Sequence, residues 1–247
     1  MLLLPSPLTA SKPNLVHVHT TFWEKAKEYV RGGGVLYVSL NGESAIPDME
    51  ELFGARLADR IPARDLKIRM VEPFGELKPG DEFTFAAGGG SGDWGALLEP
   101  HGGKVIATDQ SGRPALIAHT FGKGKVLTCA FPIEKYLSRV PAAYEEGDTT
   151  HRLYRALAEW AGVQPMFRSD RPDVEAAALN GLGRGYVVLT NHSDVTQTVT
   201  VTARKTLRRI GLVNAEGTTP IELHGNAFTV RVAPFGGEIV EYQESQQ

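Results

Sequence analysis

Phe22-Trp23-Glu24-Lys25-Ala26-Lys27-Glu28-Tyr29-Val30-Arg31, then Gly32-Gly33-Gly34, then Val35-Leu36-Tyr37-Val38-Ser39-Leu40, is the stretch that decides the fold. The spacing of Phe22, Ala26, Tyr29 and Val30 predicts a helix from about Thr20 to Arg31 with one apolar face, and the glycines stop it. The apolar run that follows reads as a buried strand. Upstream, Met1-Leu2-Leu3-Leu4-Pro5 reads as another interior strand. Strand, helix and strand with a Gly-rich return are the βαβ unit of a parallel sheet covered on both faces. A chain opening on an interior strand, with no partner before it, is expected to be the later part of something larger.

Working outward, residues 47–54 form a short helix with proline in the first turn and glycine at the end. Residues 66–71 and 82–86 alternate as half-exposed strands do. Strands at 105–108 and 115–120 bracket the turn Gln110-Ser111-Gly112-Arg113, and Gly122-Lys123-Gly124 turns the chain into a strand at 125–131. A helix from about Thr149 to Ala161 closes this part, with Leu153, Ala156, Leu157 and Trp160 as its stripe. Beyond a linker at 164–172 only strands are predicted, at 174–179, 185–191, 197–202, 206–213, 221–223, 228–232 and 238–242. The expected class is α/β followed by all-β, with domains at 1–165 and 173–247, the second a small antiparallel β-sandwich.

The chain has 247 residues and a net charge of -3, which gives no electrostatic reason to expect nucleic acid or an anionic membrane as partner. The local basic cluster Arg204, Lys205, Arg208 and Arg209 reads as a solvated strand face. One cysteine rules out an internal disulfide framework and fits a reducing compartment. Met1 to Leu4 lacks the basic region and the length of a signal peptide, so a cytoplasmic location is expected, although a lost N-terminal part would take any export signal with it. Asn191-His192-Ser193 matches the glycosylation sequon and reads as a turn.

Several motifs invite a sharper chemistry. Gly90-Ser91-Gly92-Asp93-Trp94-Gly95 is a literal G-x-G-x-x-G, but the strand before it is amphipathic and Pro100 cuts short any helix after it, so a loop is expected rather than a dinucleotide site. Gly122-Lys123-Gly124-Lys125 is too short for a Walker loop and leads into a strand. Cys129 lies in Leu127-Thr128-Cys129-Ala130-Phe131, a continuous strand with no glycine elbow, which predicts a buried, inert thiol. His17 and His19 alternate and share one side of an extended segment, with no Cys, Asp or Glu nearby to complete a metal site. The other five of the seven histidines stand singly. Glu145, Glu146 and Asp148 precede a helix start, where acidic residues favour the dipole. No metal, no cofactor and no catalytic pair is expected.

A resemblance rests on Arg113-Pro114-Ala115-Leu116-Ile117, Phe121-Gly122-Lys123-Gly124-Lys125-Val126, Phe131-Pro132 and the helix bearing His151-Arg152-Leu153-Tyr154. Together with Leu2-Leu3-Leu4-Pro5-Ser6-Pro7 and Gly32-Gly33-Gly34-Val35-Leu36-Tyr37-Val38-Ser39, these resemble the class I amidotransferase-like domain carried by many glycoside hydrolases. Family 42 beta-galactosidases, and related barrel enzymes of the cellulase and mannanase clan, are similar in this respect. The resemblance implies a flavodoxin-like sheet with flanking helices, incomplete at its N-terminus, and it implies that a catalytic (β/α)8 barrel precedes the domain and a small sandwich follows it. The two catalytic glutamates of such enzymes belong to the barrel, so neither maps onto this chain, and the G-x-C-x-G nucleophile motif of true amidotransferases is missing.

The expected function is therefore that of a noncatalytic C-terminal portion of a glycoside hydrolase. It would support homo-oligomer assembly and pack against a barrel that cleaves β-glycosidic bonds by the retaining route, with two carboxylates about 5 to 5.5 Å apart. Trp94, His17 and His19 are the candidates to approach an oligosaccharide. Two rivals remain. A stand-alone carbohydrate-binding or protein-interaction module requires an exposed row of aromatics, whereas Tyr186, Phe228, Phe235 and Tyr242 read as core or edge positions. A cysteine hydrolase requires an activated Cys129.

Overall fold

A computed structural model describes residues 1–5, 20–41, 49–62, 65–85, 94–138 and 149–245. They divide into two compact units, Met1–Val163 and Gln164–Gln247. His17, His19, Gly90 to Asp93, Glu145, Glu146 and Asp148 lie outside the described residues.

The first unit contains, in chain order, β1 (Leu2–Pro5), α1 (Thr20–Arg31), β2 (Val35–Ser39), α2 (Met49–Phe53), β3 (Ala55–Pro62), β4 (Leu66–Met70), β5 (Glu82–Phe85), β6 (Trp94–Pro100), β7 (Lys104–Asp109), β8 (Pro114–Phe121), β9 (Gly124–Cys129), α3 (Ile133–Leu137) and α4 (His151–Trp160). Among the described residues, one seven-stranded sheet runs in the order β1-β2-β9-β8-β7-β4-β5. The expected βαβ unit is present: β1 and β2 pair parallel, Leu2 opposite Leu36, and β9 continues the parallel set with Leu127 opposite Tyr37. From β8 onward every pairing is antiparallel. The sheet is thus mixed rather than wholly parallel, and the cause is connection length. The turns at 110–113 and 122–123 are hairpin-sized, and a parallel neighbour needs a crossover of a dozen or more residues.

The apolar stripe of α1 differs by one residue from the expected one. Trp23, Ala26 and Val30 are buried and Phe22 is half-buried, while Tyr29 is exposed. The Tyr29 ring instead lies over Gly34, and a side chain at 34 would require that ring to swing away. Gly34 N–H donates to Tyr29 O and Gly33 N–H to Val30 O, each at 2.9 Å, the paired bonds that close a helix on glycine. The β8–β9 hairpin packs on this helix end: Lys123 N–H donates to Arg31 O at 3.1 Å, and a Cβ on Gly124 would stand 2.0 Å from Val30 O. No other residue fits at 124.

Three elements of the first unit depart from the expectation. β3 and β6 pair antiparallel in a two-stranded sheet, Pro62 opposite Trp94 and Ala55 opposite Pro100, so the chain after the glycine run is a strand and not the remainder of a loop. α3 is a five-residue helix immediately after β9. Helices are few relative to strands because most of the connections run strand to strand.

The second unit consists of β10 (Phe167–Ser169), β11 (Val174–Asn180), β12 (Arg184–Asn191), β13 (Gln197–Ala203), β14 (Leu207–Asn214), β15 (Gly217–Pro220), β16 (Ala227–Val232) and β17 (Gly237–Glu244). Among the described residues they form two antiparallel sheets, β10-β13-β16 and β11-β12-β17-β14-β15. Phe167, Val199, Val201 and Phe228 from one sheet share a single core with Val187, Leu189, Ile210, Val240 and Tyr242 from the other. Two corrections apply. The stretch expected as linker contributes β10, because Phe167 pairs opposite Ala203 and is buried. The strand expected at 221–223 lies instead at β15, a fully exposed edge whose Gly217-Thr218-Thr219-Pro220 carries no alternation.

Candidate functional site

In open α/β sheets the carboxyl ends of the parallel strands are where ligands usually bind. Here that edge holds a polar cluster. Tyr37 and Ser39, two apart on β2, point to the same face of a strand that is buried along its whole length, and Ser39 stands in register with Cys129 at the end of β9. The chain leaves β9 through Ala130-Phe131-Pro132 into α3, which brings Glu134 to the same edge.

Glu134 is the hub. Tyr37 Oη donates to its Oε1 at 2.7 Å, Tyr154 Oη from α4 donates to the same oxygen at 2.9 Å, and Ser39 Oγ donates to Oε2. The two tyrosine rings meet edge to face at 6.4 Å. One carboxylate therefore ties β2, α3 and α4 together. Burial first, and then the acidic neighbours Cys129 and Glu134, hold the Tyr37 phenol well above its usual range. Burial and Glu134 do the same for Tyr154. Both phenols remain neutral donors, which is what a shared acceptor requires.

Cys129 is fully buried, and burial followed by the nearby Glu134 charge pushes its thiol up, away from the thiolate. Its Sγ donates to Phe131 O at 3.2 Å. Such a thiol lacks the electropositive, accessible setting that activates a nucleophile. Neutral donors around one acid hold the elements that carry them together.

Trp94 opens β6, is 45% exposed and does not belong to the Glu134 cluster. Gly95 beside it has a packing role: a Cβ there would lie 2.5 Å from the Phe131 ring, and Ala96 N–H donates to Ala130 O at 2.8 Å. The last glycine of the G-x-G-x-x-G pattern thus seats β6 across the end of β9. Asn191 of the sequon is buried, with Nδ2 donating to Val195 O at 2.8 Å and Ala233 O at 2.9 Å and Oδ1 accepting from Ser193 N–H. It is the anchor of a turn. Of the four aromatics weighed on the sandwich, Phe228 and Tyr242 are core residues, while Tyr186 and Phe235 are exposed. Among the described residues no group of three His, Cys, Asp or Glu is placed to hold a metal, and no helix is long and apolar enough to cross a membrane.

Sequence reasoning passed over Tyr37, Ser39, Glu134 and Tyr154 as a group. A signal existed in each: tyrosines at core positions of β2 and α4 need partners for their hydroxyls, a serine ends an otherwise apolar strand, and Glu134 is the first acid after the last strand.

Among the described residues, the side chains at this edge bond to one another through Glu134. The sequence model of the beta-galactosidase trimerisation domain matches residues 11–164. The chain belongs to this family. A trimerisation domain is a noncatalytic part that supports assembly. No curated protein matches the chain. Among solved structures, the beta-galactosidase from Bacillus circulans sp. alkalophilus superposes with a TM-score of 0.65 at 17% identity, covering 98% of this chain and 33% of its own. A catalytic mutant of Gan42B, a GH42 beta-galactosidase from G. stearothermophilus, gives 0.62 at 15% identity, covering 92% of this chain and 30% of its own. Alpha-L-fucosidase isoenzyme 2 from Paenibacillus thiaminolyticus gives 0.64 at 14% identity, covering 99% and 41%. At these identities the likeness is one of fold. The chain spans about a third of the length of the beta-galactosidases it matches.

Proposed function

We propose that this chain is the assembly portion of a glycoside hydrolase, packing against a (β/α)8 barrel that cleaves β-glycosidic bonds and bringing copies of that barrel together. The observation that carries the reading is the trimerisation-domain match over 11–164, in a chain whose fold recurs over nearly its full length in beta-galactosidases three times as long. The first unit is the amidotransferase-like, flavodoxin-like domain in this scheme. Its mixed sheet keeps the parallel set β1, β2 and β9, and Glu134 occupies the edge where an amidotransferase would work. A cytoplasmic location fits the single buried cysteine.

The test is the protein isolated from its native cells under mild conditions. The reading expects peptides of this chain to travel with a polypeptide large enough to carry a barrel, fused or associated, and with hydrolysis of an aryl β-galactoside; the purified chain by itself is expected to be inactive. A chain that purifies with no barrel-bearing polypeptide would overturn it. Trp94, together with His17 and His19, is proposed to face oligosaccharide in the assembled enzyme. Trp94→Ala is expected to weaken oligosaccharide binding about tenfold, the scale of one lost aromatic contact. Unchanged affinity would remove Trp94 from the site.

A further inference from the structure

One end of the sandwich carries a groove of about 820 Å³, formed where the β11–β12 turn, the β13–β14 loop and the last residues of β17 converge. Arg184, Arg204, Lys205 and Arg208 line it, with Glu244 as the one carboxylate and Leu182 at the lip. Four cations facing one acid is a local reversal of sign in a chain whose net charge is -3. The volume lies in the range of small-molecule sites. The cluster expected as a solvated strand face is therefore concave, and Arg184 joins it from a hairpin 20 residues upstream of Arg204.

The cations are held in place to different degrees. Arg208 Nη2 donates to Gln243 Oε1 at 2.8 Å, and Arg204 Nη1 donates to Gln164 O at 3.2 Å, so both guanidinium groups are steered without being neutralised. Lys205 Nζ pairs with Glu244 at 2.8 Å, which consumes the one negative charge of the lining. Among the described residues the Arg184 guanidinium has no hydrogen-bond or ion-pair partner, and Leu182 beside it is fully exposed. Three guanidinium groups with donors to spare, on a groove with no other acid among its described lining residues, suit planar or tetrahedral oxyanions, which arginine binds through paired N–H donors.

We propose that this groove is a binding site for a small ligand bearing at least two oxyanionic groups, carboxylate, sulfate or phosphate. Arg184, Arg204 and Arg208 supply the contacts, and Lys205 with Glu244 closes one wall. The site lies in the second unit, outside the residues matched by the trimerisation-domain model, and stands or falls apart from the assembly reading.

Titration calorimetry of the purified chain at low ionic strength tests it with three probes: trigalacturonate for carboxylate, a disulfated disaccharide for sulfate and pyrophosphate for phosphate. Saturable one-site binding of at least one probe is expected, weakening as sodium chloride is raised, and the strongest probe identifies the oxyanion. Arg184→Ala and Arg204→Ala are each expected to weaken it tenfold or more, with the thermal midpoint of the chain unchanged. Arg209→Ala, a cation of the same cluster that does not line the groove, is expected to leave it unaltered. Absence of saturable binding for all three probes would overturn the proposal, as would equal weakening by Arg209→Ala, which would show diffuse charge attraction rather than a site.

Discussion

The two units bury their cores by different means. In the second, Phe167, Phe228 and Tyr242 interleave with valines and leucines of both sheets, and the polar group held inside is Asn191, spent on a turn. In the first, a large apolar core is bordered by a half-buried carboxylate that three hydroxyls share. Apolar burial is non-directional and tolerates repacking, whereas an acid partly withdrawn from water needs its donors at fixed places. The first unit is therefore locked in geometry at the edge where β2, α3 and α4 meet. That rigidity suits a scaffold against which other domains or copies pack.

The largest expected effect breaks the apolar side of this comparison. Phe228→Ala is expected to cost the second unit about 3–5 kcal/mol, the range for deleting a buried aromatic ring. Glu134→Leu comes next, at about 2 kcal/mol, because the Tyr37 and Tyr154 hydroxyls lose their shared acceptor and an unpaired hydroxyl withdrawn from water costs about 1–3 kcal/mol. Urea titration followed by hydrogen exchange would assign each loss to its unit. A sharper form adds Tyr37→Phe and Tyr154→Phe to Glu134→Leu. With donors and acceptor removed together, most of the loss is expected to return; a further loss in the triple variant would show that the cluster acts mainly through packing.

A smaller effect appears with pH. Tyr37 and Tyr154 have pKa values raised above the ordinary 10.0, so the unfolded chain releases these protons from about pH 10 while the folded chain keeps them. The stability they confer is complete below that pH and is lost as pH rises, at up to about 2.7 kcal/mol per unit for two groups. The midpoint of the first unit measured from pH 8 to 11 is expected to fall, and the double Tyr→Phe variant to fall less steeply. Tyr242, whose phenol burial also raises, remains in both proteins and serves as the internal reference. Parallel slopes would contradict the account.

Much of this fold was legible because its signals are local. The α1 stripe, its glycine stop and the apolar run of β2 occupy 20 consecutive residues, from Thr20 to Ser39, and they gave the βαβ unit directly. The β8–β9 turn announced itself through Gly122. What stayed hidden lacks period. β3 has burial at its two ends and charges between, with a bulge between Leu57 and Asp59 that breaks alternation. α3 is five residues, shorter than two helical turns, and β15 is an exposed edge built of turn-forming residues. The Glu134 cluster was invisible for another reason: its members lie at 37, 39, 134 and 154, and only the pairing of β2 with β9 brings them together. Likewise the basic groove needed Arg184 beside Arg204, a neighbourhood that spacing along the chain does not encode.

The central claim is that this chain serves assembly, and its mass in solution tests that most directly. Sedimentation equilibrium of the purified protein over a hundredfold range of concentration is expected to show association into three copies, reversible and without intermediate plateaus. A single-copy mass at every concentration, with both units folded, would contradict the account.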